Sequence, residues 1–397
     1  MPPTTAGGGA DAGHLASLGT VLREWGRIGC TGFGGPPAHI ALLRRLCVDR
    51  EGWLDAAEFE DAIAACNLLP GPASTQLAIF CAWRVRGRLG AVAGGMAFIV
   101  PGLIVILFLA ALFLAGTPPL WVRGAGAGAG AAVAAVAVQA GVMLLAPSWK
   151  RASARDGEAG RAARARWVAY LLAGGAAAAV IGPWLVLVLL GCGLTELGIR
   201  QARRGAVTAA IAPLLPAVGG GVLASVAWVA FKVGALSFGG GFVIIPLMQA
   251  DAVGRGWMTS AQFLNAVALG QITPGPVVQT VAAVGFAAGG LAGGLLAALV
   301  AFAPSFAFVL GGGRHFGALR GNRFAQCFLD GAGPAAIGAI FGAAVPLARA
   351  LQAGWQFAVL GGAAVLLLVL RRGVVLTLLA AAAAGLVVAL AGGPLPR

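Results

Sequence analysis

The chain has 397 residues, 59% of them hydrophobic and only 10% charged, with a formal net charge of +14 and a mean hydropathy of +0.91. A soluble domain carries about 25% charged residues, so this composition excludes one, and with it a nucleic-acid surface as the meaning of the basic excess. Alternating strand patterning is absent as well, which leaves an all-α, polytopic integral membrane helical bundle.

Residues 1–14 are small and Gly-rich and read as a disordered tail; they lack the basic start and apolar stretch of a signal peptide. The chain then writes one pattern twice, about 204 positions apart. The first copy runs Gly29-x-x-x-Phe33-Gly34-Gly35, Gly52-Trp53, Pro70-Gly71-Pro72, Pro101; the second runs Gly234-x-x-x-Phe238-Gly239-Gly240, Gly256-Trp257, Pro274-Gly275-Pro276, Pro304. Spacing kept this closely marks an internal repeat. A first repeat at 15–199, a linker at 200–221 and a second repeat at 222–397 follow. Apolar runs at 89–115, 125–146, 167–197, 291–311 and 355–370 supply spans, several longer than the roughly 20 residues that cross a bilayer. The stretches 167–198 and 355–391 each read as a hairpin of two short helices.

Loop charge alternates between the copies. Arg84, Arg86 and Arg88 follow the first Pro-Gly-Pro segment, where the second copy has Ala287-Ala288-Gly289-Gly290. The next loop holds one Arg in the first copy but Arg314, Arg320 and Arg323 in the second. The loop before the terminal hairpin is basic in the first copy (Lys150, Arg151, Arg155, Arg161, Arg164, Arg166) and nearly neutral in the second, and the hairpin turns are Gly182-Pro183 against Arg371-Arg372-Gly373. Because positive loops stay cytoplasmic, the repeats are expected to have inverted topology, in the manner of secondary transporters with broken or re-entrant helices. The inversion requires 206–221 to cross, which is short for a span.

Both motif types sit inside apolar sequence and both interrupt helices. Phe33-Gly34-Gly35, followed by Pro36-Pro37, and Phe238-Gly239-Gly240 either line a substrate path or let helices cross closely. Pro70, Gly71 and Pro72, and Pro274, Gly275 and Pro276, should each open a short helix within the membrane. A helix start carries about half a positive charge and unpaired N–H groups, which suits an anion. Asn67 and Gln271 precede these motifs; Ser74, Thr75, Gln76, Gln279 and Thr280 follow in the first turn, as donors to an oxyanion or as caps. Arg27 and Lys232 occupy one repeat position. Lys232 is one of two lysines and lies in an otherwise apolar segment. The two cations either face a shared anion site or reach the interface and pair with neighbours such as Glu24. Asp61 is the candidate for a coupling proton, with Asp330 as an alternative, and each also reads as a plain helix-start acid. The six cysteines form no C-x-x-C pair and read as packing residues, the three histidines are scattered, and no P-loop or nucleophile–base set is visible. No enzyme activity, metal or cofactor is therefore expected.

The runs from Phe33 to His39, Asn67 to Pro72, Phe238 to Val243 and Gly270 to Pro276 resemble the chromate ion transporter family in its long, two-domain form, over nearly the whole chain. The resemblance implies export of chromate across the cytoplasmic membrane, conferring chromate resistance, with sulfate as the related oxyanion and a homodimer as an admissible assembly. It marks Arg27, Phe33, Gly34, Gly35, Asn67, Pro70, Gly71 and Pro72, with Lys232, Phe238, Gly239, Gly240, Gln271, Pro274, Gly275 and Pro276, as pore-lining. Gln76 stands where the family pattern has an acid, which counts against a proton-coupling role at that position. An inward sulfate carrier of the same fold and a passive anion channel are the competing readings.

Overall fold

The structure is a computed structural model that describes residues 16–69, 71–114, 118–153, 157–180, 185–202, 221–237, 244–313 and 322–396. Expectations for the tail 1–14, Pro70, Arg155, Gly182-Pro183, most of the linker, Phe238 to Gly240, Arg314 and Arg320 lie outside the described residues. Among the described residues there are helices and no strands. In the first half these are α1 Leu18–Thr31, α2 Pro36–Arg44 with a π-turn at Arg45–Arg50, α3 Ala56–Leu68, α4 Ala73–Phe113, α5 Leu120–Ser153, α6 Gly157–Val180 and α7 Leu185–Ala202. In the second they are α8 Val222–Leu236, α9 Ile244–Gly254, α10 Ser260–Ile272, α11 Thr280–Gly312, α12 Arg323–Arg349, α13 Gly354–Ala364 with a π-turn at Val365–Val369, and α14 Val374–Leu390. Four helices are long and apolar enough to cross a membrane: α4, α5, α12 and the continuous stretch Val277–Gly312 containing α11. The chain is a multi-pass membrane protein.

The interruptions fall where Gly and Pro demand them. Helix α1 ends at Gly32, and Gly34 (φ 99°) and Gly35 (φ 74°) turn the chain before Pro36 opens α2. Helix α4 follows Pro72, as Pro at a helix start allows. It then breaks at Arg86 (φ −143°, ψ 25°) and Gly87 (φ 61°, ψ −154°). Helix α11 breaks in the same way at Gly289 (φ −147°, ψ 28°) and Gly290 (φ 61°, ψ −153°). The second angle pair is open in practice only to glycine. Both breaks are reversals. A Cβ on Gly293 would lie 2.2 Å from the Gly285 carbonyl oxygen, although eight residues of straight helix span about 12 Å. Likewise a Cβ on Gly90 would lie 2.4 Å from the Ala82 oxygen. Each Pro-Gly-Pro motif thus opens a short arm that runs out to a turn, and a long arm runs back.

Side chains tie the outer ends of these arms together. Arg86 Nη1 donates to the Ala16 carbonyl at 3.2 Å, Arg84 pairs with Glu58, and Arg44 pairs with Glu60 at 2.6 Å. The start of α1, the end of α2, the start of α3 and the turn of α4 therefore share one end of the molecule, and the motifs between them lie at the other ends of the arms. The second half repeats this: Arg255, after α9, donates to Ser225 Oγ near the start of α8 at 3.3 Å, and Leu223 lies beside Gly289.

The halves exchange partners. Helix α5 of the first half packs on α13 and α14 of the second, and α12 of the second packs on α6 and α7 of the first. Small residues bring these backbones close. A Cβ on Gly128 would fall 2.1 Å from the Ala381 oxygen, and one on Gly338 would fall 1.8 Å from the Leu171 oxygen. The two terminal hairpins expected at 167–198 and 355–391 are present as α6–α7 and α13–α14, with α6 starting earlier, at Gly157.

Candidate functional site

The interrupted motifs meet across the halves. The Gly275 N–H donates to the Gly32 carbonyl at 2.9 Å, and Gly35 faces the Val277 side chain. Conversely, Gly71 lies against the Gly234 carbonyl and Ser305 Oγ. The end of α1 thus seats on the second Pro-Gly-Pro loop, and α8, at Gly234, lies against the first. The long arms reach this junction, the candidate chamber, at their midpoints. Gly102 of α4 approaches the Pro274 carbonyl and the Gln279 amide, while Ser305, at the matching place on α11, approaches Gly71.

Around it, polar groups are buried and only partly paired. Gln279 Nε2 donates to the Ile99 carbonyl at 2.7 Å, and Thr280 Oγ1 donates to the Val277 carbonyl at 2.8 Å. His39, fully buried, donates through Nε2 to the Gly32 carbonyl at 3.0 Å and accepts from Ser74 Oγ at 3.3 Å through Nδ1, with its ring edge-on to Phe98. Thr75 Oγ1, Ser237 Oγ, Ser305 Oγ, Gln271 Nε2 and Gln279 Oε1 are buried without a hydrogen-bond partner. An unpaired buried polar atom costs about 1–3 kcal/mol, so several of them around one junction have hydrogen-bonding capacity to offer a polar guest. Four of the five can donate, which suits an oxyanion; the fifth, an amide oxygen, suits a water carried with it. The first turns of α4 and of the Val277–Gln279 segment add backbone N–H groups, since Thr75 and Gln279 are the first amides bonded back to Pro72 and Pro276.

The expected residues sort as follows. Gly35, Gly71, Pro72, Ser74, Gln271, Pro274, Gly275 and Pro276 lie at or beside the chamber. Pro70, Phe238, Gly239 and Gly240 are outside the described residues. Phe33, Gly34 and Asn67 are exposed on the first half's side. Asp61 is half-buried on α3, about two turns before the chamber. Arg27 and Lys232 do not meet. Arg27 pairs with Glu24 at 3.0 Å, and Lys232 pairs with Asp251. Each charge has an acid within its own half, the neighbour pairing that the sequence left open beside a shared anion site, and for the buried Lys232 this avoids the cost of lone burial.

Ser237, Ser305, His39 and Asp251 were not singled out from sequence. Ser305 carried a readable signal, since it follows the repeated Pro304. Asp251 did too, as an acid within the apolar run of α9.

The two halves are unequal at one place. Helix α10 packs along α5, whereas its counterpart α3 stands largely clear of α12. In step with this, Gln271 is 7% exposed while the matching Asn67 is open. A separate cavity of about 190 Å³ lies off the chamber at the α5–α10 contact, lined in part by Arg123, Gln262, Asn265 and Gln356.

The chain matches the family described as "Chromate transporter" over residues 19–199 and 224–386. It is 32% identical over 341 residues to a "Chromate transport protein" of Pseudomonas aeruginosa, covering 81% of this chain and 79% of that one. It is 30% identical over 361 residues to a "Chromate transport protein" of Cupriavidus metallidurans, covering 88% and 87%. A "Probable chromate transport protein" of Synechococcus elongatus is 29% identical over 350 residues, covering 84% and 85%. No solved structure matches the chain.

Proposed function

The chain belongs to the chromate transporter family, and from that premise we propose that it carries chromate, a tetrahedral dianion, through the chamber between the two Pro-Gly-Pro loops. The observation that carries this reading is the meeting of α1 and of α8 with the other half's Pro-Gly-Pro loop, beside buried Thr75, Ser237, Ser305 and Gln271 groups that have no hydrogen-bond partner. Two helix starts supply about one positive charge between them. That is enough to draw a dianion in and too little to hold it, as passage requires.

The halves are inverted about an axis in the membrane plane. The outer end bearing Arg84, Arg86 and Arg88 is cytoplasmic, and the uncharged turn at Gly289-Gly290 is outside. The clearance between α3 and α12 then opens the chamber to the cytoplasm, while α10 on α5 closes it outside. This is one state of an alternating-access cycle, loaded from the cytoplasm for export across the cytoplasmic membrane, and such export confers chromate resistance. Sulfate has the same shape and charge and competes for the same groups.

Chromate counterflow in proteoliposomes tests the reading. The wild-type protein should exchange chromate, excess sulfate should inhibit, and the double variant Thr75→Val with Ser305→Ala should lose at least about tenfold in rate, the equivalent of 1.4 kcal/mol. Undiminished exchange by the double variant would remove the chamber from the route.

A further inference from the structure

Each half holds a second charge arrangement, set apart from the chamber. In the first, Glu24 is gripped by Arg27 at 3.0 Å and Arg50 at 2.8 Å; Arg23 stands 3.7 Å away and Glu51 shares Arg50. In the second, Asp251 is gripped by Lys232 and by Arg255 at 3.3 Å. The Trp228 and Trp257 rings lie 5.9 Å from the Lys232 ammonium and 5.6 Å from the Arg255 guanidinium.

Arg27 corresponds with Lys232 across the repeat, and the second cation comes in each half from just before the Gly-Trp pair: Arg50 two residues before Gly52, Arg255 one residue before Gly256. The acids do not correspond. Glu24 comes from α1 and Asp251 from α9, and the positions matching them are Val229 and Leu46. What recurs is a fork of two cations, and each half fills it with an acid from a different helix. A carboxylate gripped from two sides is itself an oxyanion in place. Charge points the same way, since two cations on one carboxylate leave Lys232, Arg255 and Asp251 with an excess of one positive charge. A dianion that takes the carboxylate's place between the two cations brings the fork itself to neutrality. Both forks lie on the arms leading to the chamber. Arg27 and Lys232 are each five residues, about 7 Å of helix, before Gly32 and Ser237. They share the asymmetry of the chamber, with the Arg27 side chain 58% exposed and that of Lys232 14%.

We propose that Lys232 and Arg255 form an oxyanion site between the chamber and one membrane surface, that Arg27 and Arg50 form its mirror toward the other, and that Asp251 and Glu24 are built-in competitors which the passing dianion displaces. This rests on the reading that the chain carries oxyanions. The carboxylate keeps each fork from holding substrate too tightly, and the exposed fork is the one facing the open side.

The test uses the purified full-length protein with sulfate as probe. Asp251→Asn keeps both cations and removes the competitor, so sulfate should raise its Tm about threefold more than it raises that of the wild type, because stabilisation grows with occupancy of the folded state. Chloride should not. The neutral pair Lys232→Gln with Asp251→Asn should lose the added response. A sulfate response in Asp251→Asn no larger than in the wild type would overturn the proposal. Should Asp251→Asn not fold, Arg255→Gln, which leaves the Lys232–Asp251 pair in place, reads the same site. Its KM for chromate in proteoliposomes should rise about tenfold at little cost in maximal rate, and an unchanged KM would overturn the proposal. Wild-type protein that neither responds to sulfate nor moves chromate would overturn the carrier reading and this one together. Normal wild-type flux beside an unaltered Asp251→Asn overturns this one alone.

Discussion

Gln271 shows what a single position contributes. It is buried, its amide nitrogen has no partner, and it precedes the second Pro-Gly-Pro motif by three residues. A buried donor without a partner attracts an anion; a carboxylate of the same size would repel it. Gln271→Glu should therefore reduce chromate exchange at least about tenfold, whereas Gln271→Asn, which keeps a donor, should lose less. Comparison of initial rates in proteoliposomes decides this, and equal rates for the two variants would take Gln271 out of contact with substrate. Gly102 acts by shape. A Cβ there would lie 2.0 Å from the Pro274 oxygen and 2.4 Å from Gln279 Oε1, so Gly102→Ala must push the second loop away. Exchange should fall sharply with the protein still inserted; normal exchange would mean that the loop position is immaterial.

At the scale of elements, the two turns at Arg86-Gly87 and Gly289-Gly290 carry the fold. Their dihedral angles agree to within a few degrees although their flanking residues differ, Arg84 to Arg88 in one and Ala287 to Gly290 in the other. Backbone geometry is thus what the repeat preserves. Gly290→Ala imposes a side chain at φ 61°, ψ −153°, which costs about 1–3 kcal/mol. Tm in detergent should fall accordingly, whereas Ala substitution at Gly311, where nothing lies within 4 Å of an added Cβ, should leave it unchanged. The helix breaks themselves were legible in the sequence, because Gly and Pro act through the local backbone: Gly32 to Pro36 and Pro72 stop and start helices as their chemistry requires. That the arms fold back to one end was not legible. It depends on contacts such as Arg84 with Glu58 and Gly285 with Gly293, between residues that no local rule pairs. The chamber was half legible for the same reason. Ser74, Gln271 and the Pro-Gly-Pro loops announced themselves by motif, while Ser237 and Ser305 are ordinary serines until the other half arrives. Lys232 was visible as an isolated charge, but its acid, Asp251, sits on another helix.

At the scale of the molecule, inversion and one-sided opening make separable demands. If the halves are inverted, a tag at Arg86 and a tag at Gly289 must report opposite faces of the membrane; a common face would end the inverted arrangement whatever the chamber does. One-sided opening is tested by matched cysteines in a background where the six native cysteines, of which Cys30 is exposed, have been replaced. Asn67→Cys and Gln271→Cys occupy one repeat position in two environments, and only the first is reachable where α3 stands clear of α12. A membrane-impermeant maleimide should label Asn67→Cys from the cytoplasmic side and leave Gln271→Cys unlabelled from either side. Alternating access then requires the pattern to exchange: whatever draws α3 onto α12 must loosen α10 from α5, since one chamber serves both mouths. Chromate held at saturating concentration on the outer face should therefore slow labelling at Asn67→Cys and expose Gln271→Cys. Simultaneous labelling of both positions, each from its own side, would describe an open channel instead of a carrier.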